Sequence, residues 1–285
     1  MDLTRPVSEL VVTAQAAETA GVDYLVLPDR TAAAPDGASP PTALIAAAFL
    51  AAHTDDIGIV VTAATSYHEP YSLARQIASL DHISAGRVGW FADSTTDPAS
   101  DANHRREGHD PARNPLVRAR EFVPLVRALW DSWEDGAFVH EKDTGRFVDA
   151  DRIHVVDHVG EALAVRGPLN VIRPPQGQPV VFATADDVLA DHADVLFSAT
   201  PQEGHALMAD ASGGREEVAA RLRHPHVLVR CGSQGELTAF LRDVLPLLRD
   251  GIRPAGTTLR ARLGLAPAPN RFALTKDEEL TSNAR

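Results

Sequence analysis

The 285-residue sequence predicts an α/β protein whose mainly parallel sheet is covered by helices on both faces. Two observations predict it. Apolar residues at helical spacing alternate with short strand-like runs three times in the first ninety residues, and those runs are continuously apolar, the mark of strands buried on both sides. With 44% hydrophobic residues, the chain is also long enough to bury a sizeable core.

Val7 to Ala20 reads as an amphipathic helix closed by Gly21, and Tyr24–Leu27 follows as a strand stopping at Pro28-Asp29. After a Pro/Gly/Ser loop from Ala34 to Pro41, Thr42 is placed to cap an alanine-rich helix reaching about His53, and Ile57–Thr62 is the next strand. Pro70 opens a third helix to about Ile83, Gly86 breaks it, and Arg87–Phe91 forms a strand ending in the polar run Asp93-Ser94-Thr95-Thr96. Asp97–Arg113 has no apolar period and reads as a loop, whereas Val117–Trp133 is a long helix. From Phe138 to Asn170 the pattern becomes short segments punctuated by Gly145, Gly160 and Gly167, expected as a β-hairpin excursion. Strands resume at Val180–Phe182, Val195–Phe197 and Val227–Val229, with a helix at Leu237–Leu248. That makes six strands outside the hairpin region. A closed (β/α)₈ barrel needs eight, so a single barrel-like domain over residues 1–285 is expected to be incomplete.

Composition narrows the function. Lys+Arg 27 against Asp+Glu 39 gives a net charge of -12, which argues against a partner held by phosphate attraction, so no nucleic acid is expected. Cys231 has no disulfide partner, no apolar run is long enough to span a membrane, and Met1 is followed by Asp2 and Glu9 rather than a basic leader; a cytoplasmic protein is expected. The pairs His154/His158 and His224/His226 lack matching Cys or Glu ligands, so no metal is expected. Gly-x-x-x-x-Gly-Lys, Gly-x-Gly-x-x-Gly and Gly-x-Ser-x-Gly are all missing, which removes the main support for nucleotide hydrolases, dinucleotide dehydrogenases and α/β-hydrolases.

The run Thr62 to Arg75, continuing through Leu80-Asp81-His82-Ile83-Ser84-Ala85-Gly86-Arg87-Val88-Gly89-Trp90, resembles the luciferase-like flavin monooxygenases, and within them the nitrilotriacetate and dibenzothiophene-sulfone monooxygenase branch. Glu121-Phe122, Leu129–Trp133, Val165–Asn170, Gln176–Val180, Gly256–Arg260 and Leu263-Gly264-Leu265 extend the resemblance in order. It implies a TIM-barrel-like fold that binds reduced FMN at the C-terminal strand ends, a small organic substrate, a separate flavin reductase, and a homodimer formed through the helices after Thr42 and Pro70. The flavin would carry the oxygen-transfer chemistry while the protein supplies position and dryness. The resemblance places Asp29, Thr62, Thr65 and Ser94 at the cofactor and Tyr67 and His68 at the substrate. Each also has a plainer reading: Asp29 as a turn cap, Thr62, Thr65 and Ser66 as partners of strand-end backbone groups, and Tyr67 and His68 as a solvated loop pair.

The sequence departs from the family at four places. Phe91 stands where an Asn amide would meet the flavin, and Pro115-Leu116 replaces an Arg-Tyr pair whose Tyr would reach it. Ala183-Thr184-Ala185-Asp186-Asp187 replaces the glycine-containing turn for the FMN phosphate, so carboxylates stand where an anion belongs. The family's first strand has no counterpart upstream of Val7, and the stretch from Phe197 to Leu237 is strongly shortened. The second expectation is therefore a degenerate relative that has lost FMN binding and serves as a partner subunit or ligand binder.

Overall fold

The computed structural model describes residues 3–4, 6–33, 41–107, 110–111, 113–211, 226–245 and 258–273. In chain order its elements are α1 (Val7–Thr19), β1 (Tyr24–Leu27), α2 (Ala43–Ala51), β2 (Gly58–Ala64), α3 (Pro70–Ile83), β3 (Val88–Asp93), α4 (Pro98–His104) and α5 (Pro115–Asp131). Next come β4 (Phe138–Glu141), β5 (Arg146–Val148), β6 (His158–Val159), β7 (Ala164–Val165), β8 (Val180–Thr184), β9 (Val195–Ser198), β10 (Ala206–Asp210) and β11 (Val227–Arg230). Two short helices, α6 (Gln234–Ala239) and α7 (Leu259–Arg262), complete the described chain. Seven strands form one parallel sheet in the order β1-β2-β3-β8-β9-β10-β11, while β4-β5 and β6-β7 are separate antiparallel hairpins inserted between β3 and β8. Among the described residues no ladder joins β11 back to β1, so the fold is an incomplete (β/α) barrel.

Side-chain alternation along each strand divides the sheet into two faces. The outer face (Ile59, Val61, Val88, Trp90) packs on α2, α3 and α5, with Trp90 against Phe122 at 5.9 Å. Both buried indoles are hydrogen-bonded, Trp90 Nε1 donating to Ala63 O and Trp130 Nε1 to Ala74 O, each at 3.0 Å. The inner face carries Tyr24, Val60, Phe91, Phe182, Phe197 and Met208, closed below by Leu259. Phe197 stacks on both Phe91 and Phe182, at 5.8 and 5.9 Å, nearly parallel to each. Gly89 makes room for this slab: a Cβ there would stand 2.7 Å from Phe182 Cε2.

A buried polar network fastens the N-terminal end of the sheet. The Asp81 carboxylate accepts from Gln176 N (3.1 Å), Gln176 Nε2 (2.6 Å) and Val88 N (3.4 Å). Gln176 Nε2 also donates to Val88 O, and its Oε1 accepts from Arg260 N. Arg260 continues to Asp194 at 2.9 Å, where Arg127 meets it from α5. Arg87 is sunk beside this network and donates to the carbonyls of Ala51, Thr54, Ile57 and Ser84.

Expectation and structure differ at five points. Thr42 precedes α2 without capping it; Asp29 Oδ2 accepts from Ala43 N instead, at 3.2 Å. The stretch 97–113 contains α4, started by Asp97, whose side chain accepts from the Ala99 and Ser100 amides. The excursion is two hairpins rather than one. Strand β10 is not expected from the sequence because Ala-Leu-Met-Ala-Asp has neither β-branched nor aromatic residues. The last helix starts at Gln234 and passes into a π-helical turn, Phe240–Val244; its expected end at Leu248 lies outside the described residues, as do most of the loop 34–41, His224, Gly256 and Thr257.

Gly89→Ala is expected to destabilise the fold by about 1–3 kcal/mol through overpacking against Phe182, measured by urea unfolding. Burial pushes the Asp81 carboxyl up to about 6 despite its three donors. Because the folded pKa lies above the unfolded one, Asp81's contribution is full below the ordinary aspartate range and falls as pH rises toward about 6. The advantage of the wild type over Asp81→Asn in unfolding free energy should shrink across that window and level off above it.

Candidate active site

In parallel α/β barrels the site lies at the C-terminal ends of the strands, and all six sequence-predicted residues lie there. Asp29, just past β1, is engaged by the chain: Oδ1 accepts from Arg30 N at 2.8 Å and Oδ2 from Ala43 N. Thr62 is half-buried, paired in register with Phe91, and on the inner face. Thr65 is fully buried, with its amide and hydroxyl both donating to Asp93 O, at 2.8 and 3.2 Å. Ser94 donates its amide to Asp187 Oδ2 at 3.1 Å. Tyr67 and His68 turn to the rim rather than to the inner face. Tyr67 Oη accepts from Asp97 N, donates to Asp101 Oδ1 (3.0 Å) and its ring stacks on His104. Burial, with the Asp101 and Asp97 carboxylates adding to it, pushes the phenol up to about 12, so it stays a hydrogen-bond donor. His68 Nδ1 bonds Ala64 O at 2.9 Å.

Three residues beyond these shape the mouth. Asp187 also accepts from Leu189 N at 2.9 Å, so a carboxylate of the chain itself sits in the turn that the resemblance assigns to a phosphate. Phe91 reaches the inner face as the top ring of the aromatic slab. Arg118, four residues before Phe122 on the buried side of α5, donates Nε to Thr65 O (3.0 Å) and Nη2 to His68 O (2.6 Å), holding the β2-to-α3 loop. A cation within the apolar stripe of an amphipathic helix is the signal that could have found it.

Two concave regions lie outside the inner face. One, of about 360 Å³, is bounded by Glu69, Pro70, Arg106, Glu107, Arg118 and the β6-β7 turn. The turn is held by Glu121, which accepts from the Glu161, Ala162 and Leu163 amides, with His158 Nε2 at 3.5 Å. Burial raises the Glu121 pKa, but these amides and His158 outweigh it and hold the carboxyl below the usual glutamate range. The other is an apolar groove between α2 and α3 on the outer surface, lined by Leu44, Ala48, Tyr71, Leu80, Ile45 and Ile83, the last two 67% and 57% exposed. The remaining histidine of the 154/158 pair, His154, bonds Glu134 at 2.7 Å and stacks on Phe272; among the described residues no cluster has a metal-ligand set.

A parallel (β/α) sheet whose polar residues gather at the C-terminal strand ends defines a barrel-type protein with its site at that mouth. The family model of luciferase-like monooxygenases matches residues 2–236, and the chain belongs to that family. Nitrilotriacetate monooxygenase component A of Aminobacter aminovorans is 43% identical over 64% of this chain, but the chain spans only 41% of that relative's length. Two different subunits of the pristinamycin IIA synthase of Streptomyces pristinaespiralis also match. One is 40% identical over 92% of this chain and 90% of its own length; the other is 35% identical over 65% of this chain and 39% of its own. The solved EDTA monooxygenase from Chelativorans sp. BNC1 shares the fold, with a TM-score of 0.76 over 92% of each chain at 21% identity.

Asp29→Ala should cost about 0.5–2 kcal/mol, because the first amide of α2 loses its acceptor, whereas Asp29→Asn should keep most of the stability in the same unfolding assay. Glu121→Ala should open the 158–165 hairpin to protease. Since the Glu121 pKa is depressed by folding, its clamp is present at neutral pH and lost as pH falls below the glutamate range, so wild-type cleavage at 158–165 should rise on acidification and converge with that of the variant.

Proposed function

We propose that the chain is a component of a reduced-flavin-dependent monooxygenase acting on a small organic substrate, the reduced FMN arriving from a separate reductase. Within that enzyme it serves as the smaller companion of a longer family member that holds the flavin. The observation that carries this reading is the filled mouth: Phe91, Phe197 and Phe182 stack across the inner face, and Asp187 takes the Ser94 and Leu189 amides. Those residues do not fit an FMN phosphate, because a second anion would meet the Asp187 carboxylate in the same turn. Support also comes from the near full-length match to one pristinamycin IIA synthase subunit, since the other, of which this chain spans 39%, is itself similar to it. No helix among the described residues is long and apolar enough to cross a membrane, and a cytoplasmic assembly fits the reading.

The α2-α3 groove is the docking face in this proposal, with Ile45, Phe49 and Ile83 exposed beside it. The same face pairs two copies of this chain when the longer subunit is missing.

A second reading keeps the cofactor on this chain, with the flavin ring against Thr62, Asp29, Thr65 and Ser94 around it, and the substrate at Tyr67 and His68. Thr62 favours it, since among the described residues its half-buried side chain faces the interior without a protein partner for its hydroxyl. FMN titration in both redox states separates the two. The chain alone should lose FMN on desalting and show no substrate-dependent oxygen uptake, and both should appear when it is co-purified with the longer subunit. Retention of FMN by the chain alone, lost in Thr62→Val, would establish the second reading. Ile45→Glu should split the two-chain assembly on size exclusion while the isolated chain keeps its folded circular-dichroism spectrum.

A further inference from the structure

The cleft of about 360 Å³ on the rim contains a charge that the chain leaves loosely balanced. The Arg118 side chain is nine-tenths buried, and two of its nitrogens donate to the carbonyls of Thr65 and His68, which are neutral acceptors. Its carboxylate partner, Glu69, stays 3.9 Å away and more than half exposed. The same Glu69 oxygen lies 3.5 Å from Arg106, so two guanidinium groups share one solvated anion. Burial lowers the Arg118 pKa, Glu69 raises it, and the positive charge of Arg106 lowers it further. The 14-residue helix α3 begins at Pro70 on the wall of the same cleft, without a side-chain cap, and adds its positive end.

We propose that this cleft is a binding site for a single oxyanion, the phosphate or carboxylate group of a small molecule, seated between Arg106 and Arg118 in place of Glu69. Bidentate pairing with planar guanidinium groups suits both oxyanions. Glu107 also lines the cleft and disfavours a second anion there, and Leu163 and Val165 give the ligand a short apolar wall for the rest of its body. The cleft adjoins the strand mouth through Arg118, but none of Asp29, Thr62, Thr65 or Ser94 lines it.

Calorimetric titration of the full chain with inorganic phosphate and with succinate, at constant ionic strength, tests it. Saturable binding of one or both is expected. Arg106→Gln should weaken it about tenfold, the value of one charge-assisted hydrogen bond. Glu69→Gln should tighten it several-fold, since it removes the competing carboxylate, an outcome that a damaged fold would not give. Both substituted residues are more than half exposed, so the variants should fold. Preference for phosphate assigns a phosphate-bearing ligand, and preference for succinate a carboxylate-bearing one. No saturable binding of either anion, or equal affinity in the wild type and Arg106→Gln, would overturn the proposal. Because neither probe contains a flavin and no second chain is added, this result stands apart from the companion-subunit test.

Discussion

The Asp81 carboxylate is the point on which the architecture turns. Its two oxygens tie α3 to the start of β3 through Val88 and to the segment entering β8 through Gln176, a residue 95 positions further along the chain. Gln176 then passes the connection to Arg260, and Arg260 to Asp194 at the start of β9. A buried carboxylate is costly without partners, and here every donor that faces it comes from a segment that must be positioned for the sheet to continue past the hairpins. The network therefore does for β3 and β8 what a short helical crossover does for β1, β2 and β3.

The two ends of the sheet solve opposite problems. At the N-terminal end, Arg87 and Arg260 donate to carbonyls while Asp81 and Asp194 accept from amides and guanidinium groups, which locks the segments together. At the C-terminal end, where barrel folds place their sites, Asp29, Thr65, Ser94 and Asp187 find hydrogen-bond partners within the chain. Beneath them the three rings of Phe91, Phe197 and Phe182 lie nearly parallel across the inner face. The barrel scaffold is thus fastened at both ends by polar groups of the chain itself.

Much of this is legible in the sequence. Tyr24–Leu27 and Pro70–Ile83 are readable to the residue because continuous apolar runs and a proline-opened, glycine-closed helix are local signals. The Phe91 and Asp186-Asp187 departures are visible as chemistry at motif positions. What stays hidden is non-local. That Asp29 rather than Thr42 caps α2 depends on a contact across fourteen residues, and that Arg118 supports the β2 loop depends on how α5 docks. Helix α4 lacks any apolar period because its start is fixed by a polar cap and only Ser100 and Asp101 are buried. Strand β10 is made of residues with little strand preference and exists because β9 and β11 flank it.

The insertion of two hairpins between β3 and β8 also bears on the order in which the sheet is expected to assemble. Helices α2 and α3 and strands β1 to β3 meet through neighbours close in sequence, so that half carries low contact order and needs little loop closure. The β3-β8 ladder must instead close a long intervening segment, and loop closure is an entropic cost borne before the contacts return anything. On contact order alone, the first three strands are expected to pair before β8 closes onto the edge at β3. In such a half-built sheet Trp90 and Val61 would have their helices while Phe91 and Val60 would lack the cover of Phe182 and Phe197, so that species would be the one most exposed to misassociation.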